Sequence, residues 1–289
     1  MARVNRAIEL LERGQPVYYT STHVLTHESG VAMAKTWADY IRIDSEHGPF
    51  DMTALGTFMQ GLIDGGPTRS GHRTPAVIAE LPFDGIDEYV VYSNAWMIKQ
   101  ALAQGVHGLI LCHAETPGAV RAYVESARYV FQSLGVGRGL GKGRRGHGGQ
   151  GMASKVWGIS EDEYMEKADV WPLNPNGELL LGIKMENARA LVNCEVSARV
   201  PGIAFGEWGA GDQSMEQGYR KRPVPLPPDL QADLDRVWKA CADAGISFLT
   251  IVTPEDIKAQ IDRGLKFCRA YDSKAAEIGR LHTKRTMPV

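Results

Sequence analysis

The sequence contains little cysteine, no excess of either charge and no long apolar run. Its four cysteines are far apart, form no CxxC pair and lie in apolar stretches; they are Cys112, Cys194, Cys241 and Cys268. This spacing does not suit a zinc site and predicts buried free thiols in a reducing compartment. Lys plus Arg number 32 and Asp plus Glu number 34, so the formal net charge is -2. Nothing in this balance indicates a nucleic acid or an anionic membrane as a partner.

No stretch approaches the roughly 18 apolar residues that a membrane helix requires. The first residues, MARVNRAIE, carry charges where a secretory signal has its apolar core. We therefore expect a cytoplasmic protein with no membrane partner. Hydrophobic residues make up 44% of the 289 and charged residues 23%, a composition that can bury one large core or two modest ones.

Strand-like apolar runs alternate with helix-like segments along the chain. The predicted strands are 17–22, 40–43, 76–81, 108–112, 179–183, 202–205, 247–251 and 265–269. The predicted helices are 28–38, 51–63, 95–104, 117–131, 187–196 and 230–244, one that begins at 253–256 and a last one from 273. Eight such repeats over ~250 residues predict a single α/β domain, a (β/α)₈ TIM barrel, with a doubly wound open sheet as the alternative. We prefer the barrel because polar residues follow several strands, and in a barrel those positions share one mouth.

Two segments interrupt the alternation. Residues 135–151, GVGRGLGKGRRGHGGQG, are rich in glycine and basic side chains. Lys142, Arg144 and Arg145 in this loop could close over an anionic substrate, although loops of this composition are often simply mobile. Residues 221–228, KRPVPLPP, predict a stiff connector.

Two carboxylates are the first candidates for chemistry. Glu186 follows the strand 179–183, and Asp212 follows a glycine-rich bend after the next strand. A carboxylate beside an apolar strand is costly unless something uses it, and two carboxylates with open positions for water and substrate suit Mg²⁺ or Mn²⁺. The alternative is that each acid only favours a helix N-terminus. Their common barrel face favours the metal site.

His47 is the candidate for proton transfer. It ends the segment Ile43-Asp44-Ser45-Glu46-His47, directly after the second strand. A neutral imidazole near a metal-bound substrate is a natural general base, and Asp44 or Glu46 would orient it. The alternative is an ordinary histidine in a surface loop.

These segments resemble the HpcH/HpaI aldolases, class II metal-dependent aldolases with a barrel of the phosphoenolpyruvate/pyruvate-domain type. The group includes 4-hydroxy-2-oxoheptanedioate aldolase, 2-dehydro-3-deoxygalactarate aldolase and macrophomate synthase. Residues 43–47 match the family motif I-D-x-E-H, and residues 184–187 match Q-x-E-[TN] except at the first position. Residues 200–214, VPGIAFGEWGAGDQS, follow V-x-G-V-D-G-x-x-x-G-P-x-D-L-S without a gap. The resemblance covers about residues 15–272.

The resemblance implies an activity and a set of roles. Glu186 and Asp212 would hold Mg²⁺, Mn²⁺ or Co²⁺, and the metal would stabilise the enolate of a small oxo acid. His47, oriented by Asp44, would move protons during reversible aldol cleavage of a hydroxy-oxo acid, the reaction of a carbon–carbon lyase. Backbone amides that would bind the substrate carboxylate belong to Gly209, Ala210, Gly211 and Asp212. The resemblance also implies a homo-oligomer, a hexamer or trimer, in which the C-terminal helix within 273–289 is exchanged between subunits.

Two positions depart from the family pattern beside these residues. Glu80 stands where the family has an arginine that polarises the substrate carbonyl, which a carboxylate cannot do unless it is protonated or bound to a cation. Lys184 replaces the glutamine that precedes the metal acid. We expect Lys184 to pair with Glu80 or to supply the missing cation, so both are candidate catalytic residues. The alternative is a local charge swap without a catalytic role.

Three further side chains are candidates for substrate contact. His113 follows the fourth strand, His23 follows the first, and Trp208 precedes the bend at Gly209. A tryptophan wall suits a bulky or aromatic substrate, and with it the catabolism of aromatic compounds, although loop capping or core packing would also explain each residue. Two other functions stay open. One is a metal-dependent decarboxylase, hydratase or hydrolase on the same barrel, and the other is a non-catalytic binding protein.

Overall fold

Parallel strands form the centre of the fold within residues 3–289, the part of the chain that the computed structural model describes. The strands are β1 Val17–Thr22, β2 Tyr40–Asp44, β3 Ala76–Asp84, β4 Gly108–Cys112, β5 Val170–Trp171, β6 Leu179–Lys184, β7 Phe205–Glu207, β8 Ser247–Val252 and β9 Phe267–Ala270. Eight of them form a ring in the order β1, β2, β3, β4, β6, β7, β8, β9. The two-residue strand β5 pairs with the start of β6 and is not part of the ring.

Closure of the ring confirms the predicted (β/α)₈ barrel and excludes the open doubly wound sheet. Gly108 of β4 is paired with Leu180 of β6. Val17 of β1 is paired with Phe267 of β9. Because every strand of the ring has two neighbours, all eight strands end at one common rim, as the barrel prediction requires.

Helices surround the barrel. They are α1 Arg6–Glu12, α2 His27–Met33, α3 Met52–Asp64, α4 Glu88–Ser93, α5 Ala95–Ala103, α6 Pro117–Ala127, α7 Gln150–Trp157, α8 Glu161–Lys167, α9 Ala188–Ser197, α10 Ala210–Glu216, α11 Pro228–Ala244, α12 Ile257–Asp262 and α13 Ser273–His282. Within residues 3–289, none of these helices is long and apolar enough to cross a membrane. The single chain packs α13 against its own barrel, with Ala275, Ala276 and Gly279 buried, so exchange of this helix between subunits remains a prediction.

Several predicted boundaries are wrong for local reasons. The predicted helix 117–131 ends at Ala127, because Arg128 is extended and its guanidinium is buried against both oxygens of Asp169. The predicted strand 202–205 begins only at Phe205, since Gly202 adopts a φ of 98° in a turn. Helices α1, α4, α7, α8 and α10 were not predicted.

The interior of the barrel is apolar at the amino-terminal ends of the strands. Alternate residues of a strand point to the same side, and Phe205 of β7 stacks on Phe267 of β9 with ring centroids 4.2 Å apart. Gly182 of β6 makes room for this pair, because a Cβ at that position would lie 2.2 Å from the Phe205 ring. Ile8 of α1 belongs to the same buried cluster, so α1 covers the amino-terminal end of the barrel. This end is therefore filled, and space for a ligand remains at the carboxyl ends of the strands.

A buried ion cluster joins the chain ends to the amino-terminal side of the barrel. The carboxylate of Asp39, just before β2, lies 2.7 Å from Arg6 and 2.6 Å from Arg285, and Arg280 lies at 3.5 Å. Burial opposes ionisation of Asp39, but hydrogen bonds and charge from Arg285, with the charges of the other two arginines, lower its pKa to about 2.

This cluster predicts a specific loss of stability in acid. Because the pKa of Asp39 is lower in the folded protein, its ionised carboxylate stabilises the fold. This stabilisation is complete above the ordinary Asp pKa of 3.8 and is lost as the pH falls through about 2. The difference in unfolding free energy between the wild type and Asp39→Asn should therefore shrink by about 2 kcal/mol between pH 5 and pH 2. Urea denaturation at each pH measures it. The control Asp243→Asn, in an exposed pair with Lys239, should show no comparable change, and a pH-independent Asp39→Asn difference would contradict the assignment.

Candidate active site

A cavity of about 370 Å³ opens at the carboxyl ends of the strands. Every predicted site residue except His113 lines it; these residues are His23, Asp44, His47, Glu80, Lys184, Glu186, Trp208, Gly209, Ala210, Gly211 and Asp212. They come from loops and strand ends that are distant in the sequence. The barrel thus brings the predicted residues to one mouth, while their roles remain to be tested.

His113 lines an adjoining cavity of about 420 Å³, and Glu186 and Asp212 line both cavities. Its backbone N–H donates to Glu186 Oε1 at 3.2 Å. His113 also adopts a φ of 42°, a left-handed conformation that is uncommon for a residue with a Cβ. Its contact with Glu186 places His113 beside the predicted metal ligands, outside the main cavity.

Arg42 of β2 is the principal residue that the sequence reasoning missed. Its Nε donates to Glu80 Oε2 at 2.9 Å, and its Nη2 contacts the other oxygen of the same carboxylate. Its Nη1 lies 3.0 Å from Glu207 Oε2 and 2.9 Å from the Tyr19 hydroxyl. An arginine inside an otherwise apolar strand, on the same face as Asp44, was the available signal.

Lys184 lies among three carboxylates. Its Nζ is 3.2 Å from Glu80, as the sequence led us to expect, and also 2.6 Å from Glu46 and 3.0 Å from Glu186. Burial would favour the neutral amine, but the surrounding acids, Glu186 foremost, raise the pKa of Lys184 above its ordinary value. Lys184 is therefore a charged ammonium and neither a nucleophile nor a base in this arrangement.

Glu80 is held ionised by its two cationic neighbours. Burial opposes its charge, but Arg42 and Lys184 lower the pKa of Glu80 to about 2. A permanent carboxylate does not polarise a carbonyl. Its contacts with Arg42 and Lys184 instead fix the positions of two cations on the cavity wall.

Glu186 has the chemistry of a cation ligand. Its side chain is fully buried, and its Oε2 has no hydrogen-bond partner among the described residues, although Lys184 Nζ lies within 3.0 Å. Burial raises the pKa of Glu186 to about 8; Lys184 opposes this, and the nearby acids Glu46, Glu207 and Asp212 reinforce it. A bound divalent cation would relieve this repulsion between carboxylates.

The backbone beside Glu186 is adapted to its carboxylate. A Cβ at Gly209 would lie 1.8 Å from Glu186 Oε2, so a side chain at 209 would collide with this oxygen. Asp212 follows in the first turn of α10 and lines the same cavity. The residues present therefore fit a divalent metal ion.

Three groups of potential ligand atoms lie at this end of the barrel, each with its atoms within 4.8 Å of one another. They are Glu46, His113 and Glu186; Asp44, Glu46 and His47; and Glu46, Glu80 and Cys112. Within residues 3–289, Asp212 belongs to none of the three. Glu46 belongs to all of them, and the sequence reasoning treated it only as a partner of His47.

His47 lies at the mouth of the cavity with 62% of its side chain exposed. Its Nδ1 is 3.1 Å from Asp44 Oδ2, and its backbone N–H donates to Asp44 Oδ1 at 3.0 Å. A neutral imidazole that donates Nδ1–H to Asp44 has Nε2 left as a proton acceptor, which is the arrangement that a general base requires.

The glycine-rich loop 135–151 lies against α6 and not over the cavity. The backbone N–H of Gly141 donates to Glu125 Oε1 of α6 at 2.7 Å. Arg145 is buried and hydrogen-bonds the hydroxyls of Tyr129 and Tyr164 at 3.1 and 3.2 Å. Arg144 stacks 4.0 Å from the centroid of the Tyr92 ring. No residue of this loop lines the cavity in the described structure, so the arrangement does not support a lid over the substrate.

The sequence is similar to proteins that are named hydroxypyruvate/pyruvate aldolase. No protein-family model matches the sequence. A hydroxypyruvate/pyruvate aldolase of Roseobacter denitrificans is 25% identical over 269 residues, covering 92% of this chain and 90% of the relative. A hydroxypyruvate/pyruvate aldolase of Cupriavidus necator is 26% identical over 230 residues, covering 79% of this chain and 72% of the relative.

Solved structures share the whole fold. An HpcH/HpaI aldolase/citrate lyase family protein from Burkholderia cenocepacia superposes with a TM-score of 0.71 at 19% identity, covering 98% of this chain and all of the other. Macrophomate synthase superposes with a TM-score of 0.67 at 17% identity, covering 97% and 86% of the two chains. These comparisons confirm the predicted resemblance and the predicted barrel.

Proposed function

We propose that this protein is a divalent-metal-dependent carbon–carbon lyase that cleaves and forms a hydroxy-oxo acid. The observation that carries the proposal is the fully buried carboxylate of Glu186, whose Oε2 accepts no hydrogen bond although the Lys184 ammonium lies 3.0 Å away. This carboxylate shares one cavity with Asp212 and with the His47–Asp44 pair. The relatives named aldolase and the structural neighbours support an enzyme of the lyase class.

Glu186 and Asp212 would hold Mg²⁺, Mn²⁺ or Co²⁺, ions that suit carboxylate oxygens and keep open positions. When bound, the ion would supply Lewis acidity to the carbonyl of the oxo acid. Because Gly209 has no side chain, the Glu186 oxygen that would bind the ion stays accessible. The amides of Gly209, Ala210 and Gly211 remain the predicted contacts of the substrate carboxylate.

His47 would handle the proton of the cleavage reaction. Its Nε2 accepts the proton of the substrate hydroxyl as the carbon–carbon bond breaks, and Asp44 stabilises the resulting imidazolium through Nδ1–H. In the synthetic direction the same proton returns to the new alkoxide. His47 is exposed at the mouth, so the proton can also exchange with solvent.

Arg42 of β2 supplies a guanidinium beside Glu80. The resemblance led us to expect an arginine at position 80 itself, on β3. Four of the five N–H groups of Arg42 are used by Glu80, Glu207 and Tyr19, which leaves one donor at Nη2. Arg42 lines the cavity, and we assign that donor to a substrate oxygen. Its partners prevent it from moving away when the cavity is empty of substrate.

The proposal is tested by exchange of the methyl protons of pyruvate in deuterated water, followed by NMR. The exchange needs no knowledge of the acceptor aldehyde. It should appear with Mg²⁺, Mn²⁺ or Co²⁺, vanish after chelation and return when metal is added. Pyruvate release from a panel of 4-hydroxy-2-oxo acids, coupled to lactate dehydrogenase, measures cleavage itself. Absence of both signals with every metal would contradict the proposal, and carbon dioxide release without pyruvate would favour the decarboxylase instead.

A further inference from the structure

Two cations of the cavity wall have no acidic partner. Arg269 of β9 and Arg222, in the connector before α11, both line the cavity. Within residues 3–289 neither makes a salt bridge or a side-chain hydrogen bond, and the Arg269 guanidinium lies 5.8 Å from the centroid of the Tyr271 ring. By contrast, Arg42 contacts two carboxylates and Lys184 three. Most N–H groups of Arg42 and Lys184 are thus taken by acids, whereas those of Arg269 and Arg222 are available to a ligand.

Arg269 lies across the barrel from the predicted metal ligands. It is in register with Tyr19 of β1, whose hydroxyl is hydrogen-bonded to Arg42 inside the barrel, so Arg269 occupies an inward-facing position. Strand β9 is three places from β6 around the eight-stranded ring, and Glu186 directly follows β6. A substrate bound at Glu186 would therefore extend its other end towards Arg269.

The wall beside Arg269 is polar on one side and apolar on the other. Tyr19 and Ser21 of β1 line the cavity on one side of Arg269, and Ile251, its register partner in β8, lines it on the other. Large apolar side chains of the described lining are few and include Trp208, Met215 and Ile251. A neutral aromatic group would leave the guanidinium unpaired, whereas a carboxylate or phosphate would accept two parallel N–H bonds from it.

We infer that Arg269, assisted by Arg222, binds a terminal anionic group on the acceptor half of the substrate, which is thus an aldehyde bearing a carboxylate or a phosphate. This inference rests on the proposed aldolase function. The oxo-acid half occupies the side with Glu186 and Asp212, and the anionic end of the aldehyde occupies the β9 side. A cavity of about 370 Å³ is at the lower end of the size range of small-molecule sites, which agrees with a short acceptor.

The inference is tested with matched acceptors and pyruvate as donor. Succinic semialdehyde is compared with its neutral amide, 4-oxobutanamide, and glyceraldehyde 3-phosphate with glyceraldehyde. The wild type should prefer the anionic member of one pair by about tenfold or more in kcat/KM, as expected for a charge-assisted hydrogen bond. The pair that shows the preference identifies a carboxylate or a phosphate as the group bound. Arg269→Gln should reduce the preference to less than about threefold, mainly through KM, and Arg269→Lys should retain part of it.

Two lysine variants serve as controls for the loss of one positive charge. Lys221→Gln removes a charge from the same connector as Arg222, and Lys266→Gln removes one just before β9; neither lysine lines the cavity. Both should keep the wild-type preference. An Arg269→Gln, Arg222→Gln double variant with undiminished preference, or a wild type with no preference in either pair, would overturn the inference.

A binding measurement separates this inference from the proposed function. Calorimetric titration of the Mn²⁺-supplemented protein with succinic semialdehyde and with glyceraldehyde 3-phosphate, each against its neutral partner, requires no turnover. If no acceptor reacts but an anionic one binds about tenfold more tightly in an Arg269-dependent manner, the subsite stands and the aldol chemistry is wrong. If the aldol reaction proceeds equally with charged and neutral acceptors, the chemistry stands and the subsite is wrong.

Discussion

Glu186→Gln is expected to abolish divalent metal binding and to lower pyruvate proton exchange and aldol turnover by about 10³-fold. The amide keeps the volume of the side chain but is a poor ligand for a hard cation. Because Glu186 is buried among other acids, the same substitution should raise the midpoint of urea denaturation measured without metal. Mn²⁺ binding by electron paramagnetic resonance, NMR exchange and denaturation together check the three effects.

Glu195→Gln is the matched control, since Glu195 lies on an exposed face of α9 and pairs with Arg236. It should leave metal affinity and turnover unchanged. Asp212→Asn should reproduce the loss of metal affinity, with Asp243→Asn as its control. If Glu186→Gln and Asp212→Asn both retained wild-type Mn²⁺ affinity, the metal assignment would be wrong.

Lys184→Met is expected to destabilise the protein by about 3–5 kcal/mol, because it leaves buried carboxylates without their common counter-charge. Lys184 contacts Glu46, Glu80 and Glu186, so turnover should also fall by about 10²-fold or more as these groups shift from their positions. Denaturation by urea and pyruvate exchange by NMR measure the two losses separately.

The double variant Lys184→Met, Glu80→Gln distinguishes a positioning role from a simple packing defect. It removes one of the three acids that lost Lys184 as a neighbour and should recover part of the lost stability. Lys239→Met, in an exposed pair with Asp243, is the surface control and should change stability by less than about 1 kcal/mol. A stable Lys184→Met enzyme with full turnover would reduce the Lys184–Glu80 pair to a local charge swap.

Much of the fold could be predicted because its strands are short, apolar and separated by helix signals. The predicted bounds 17–22 and 108–112 coincide with β1 and β4. The error at 202–205 arose because an apolar run looks like a strand until its pairing is known: β7 is defined by pairing with β6 and β8. Helix α7 was missed because it begins at Gln150, inside the glycine-rich segment 135–151, and glycine disfavours a helix. Helix α8 was missed because no predicted strand precedes it directly.

The site could be predicted only as far as its residues carry a local signal. Glu186, Asp212 and His47 stand out because each follows an apolar run or a glycine bend. Arg42 was missed because its partners Glu80 and Glu207 lie 38 and 165 residues away in the sequence. Arg269 was missed for the opposite reason, since it has no acidic or hydrogen-bonding partner in the described chain and is singled out only by its position in the cavity wall.

The sequence by itself determined the alternation of strands and helices, the barrel, and the carboxylates and histidine at its mouth, because local periodicity and spacing encode them. Only the tertiary structure decided which charges neutralise one another. Arg42 and Lys184 are occupied by acids from other strands, and Arg269 is not. The physical reason is that closure of the ring brings side chains from distant segments within hydrogen-bond distance, which no single segment can specify.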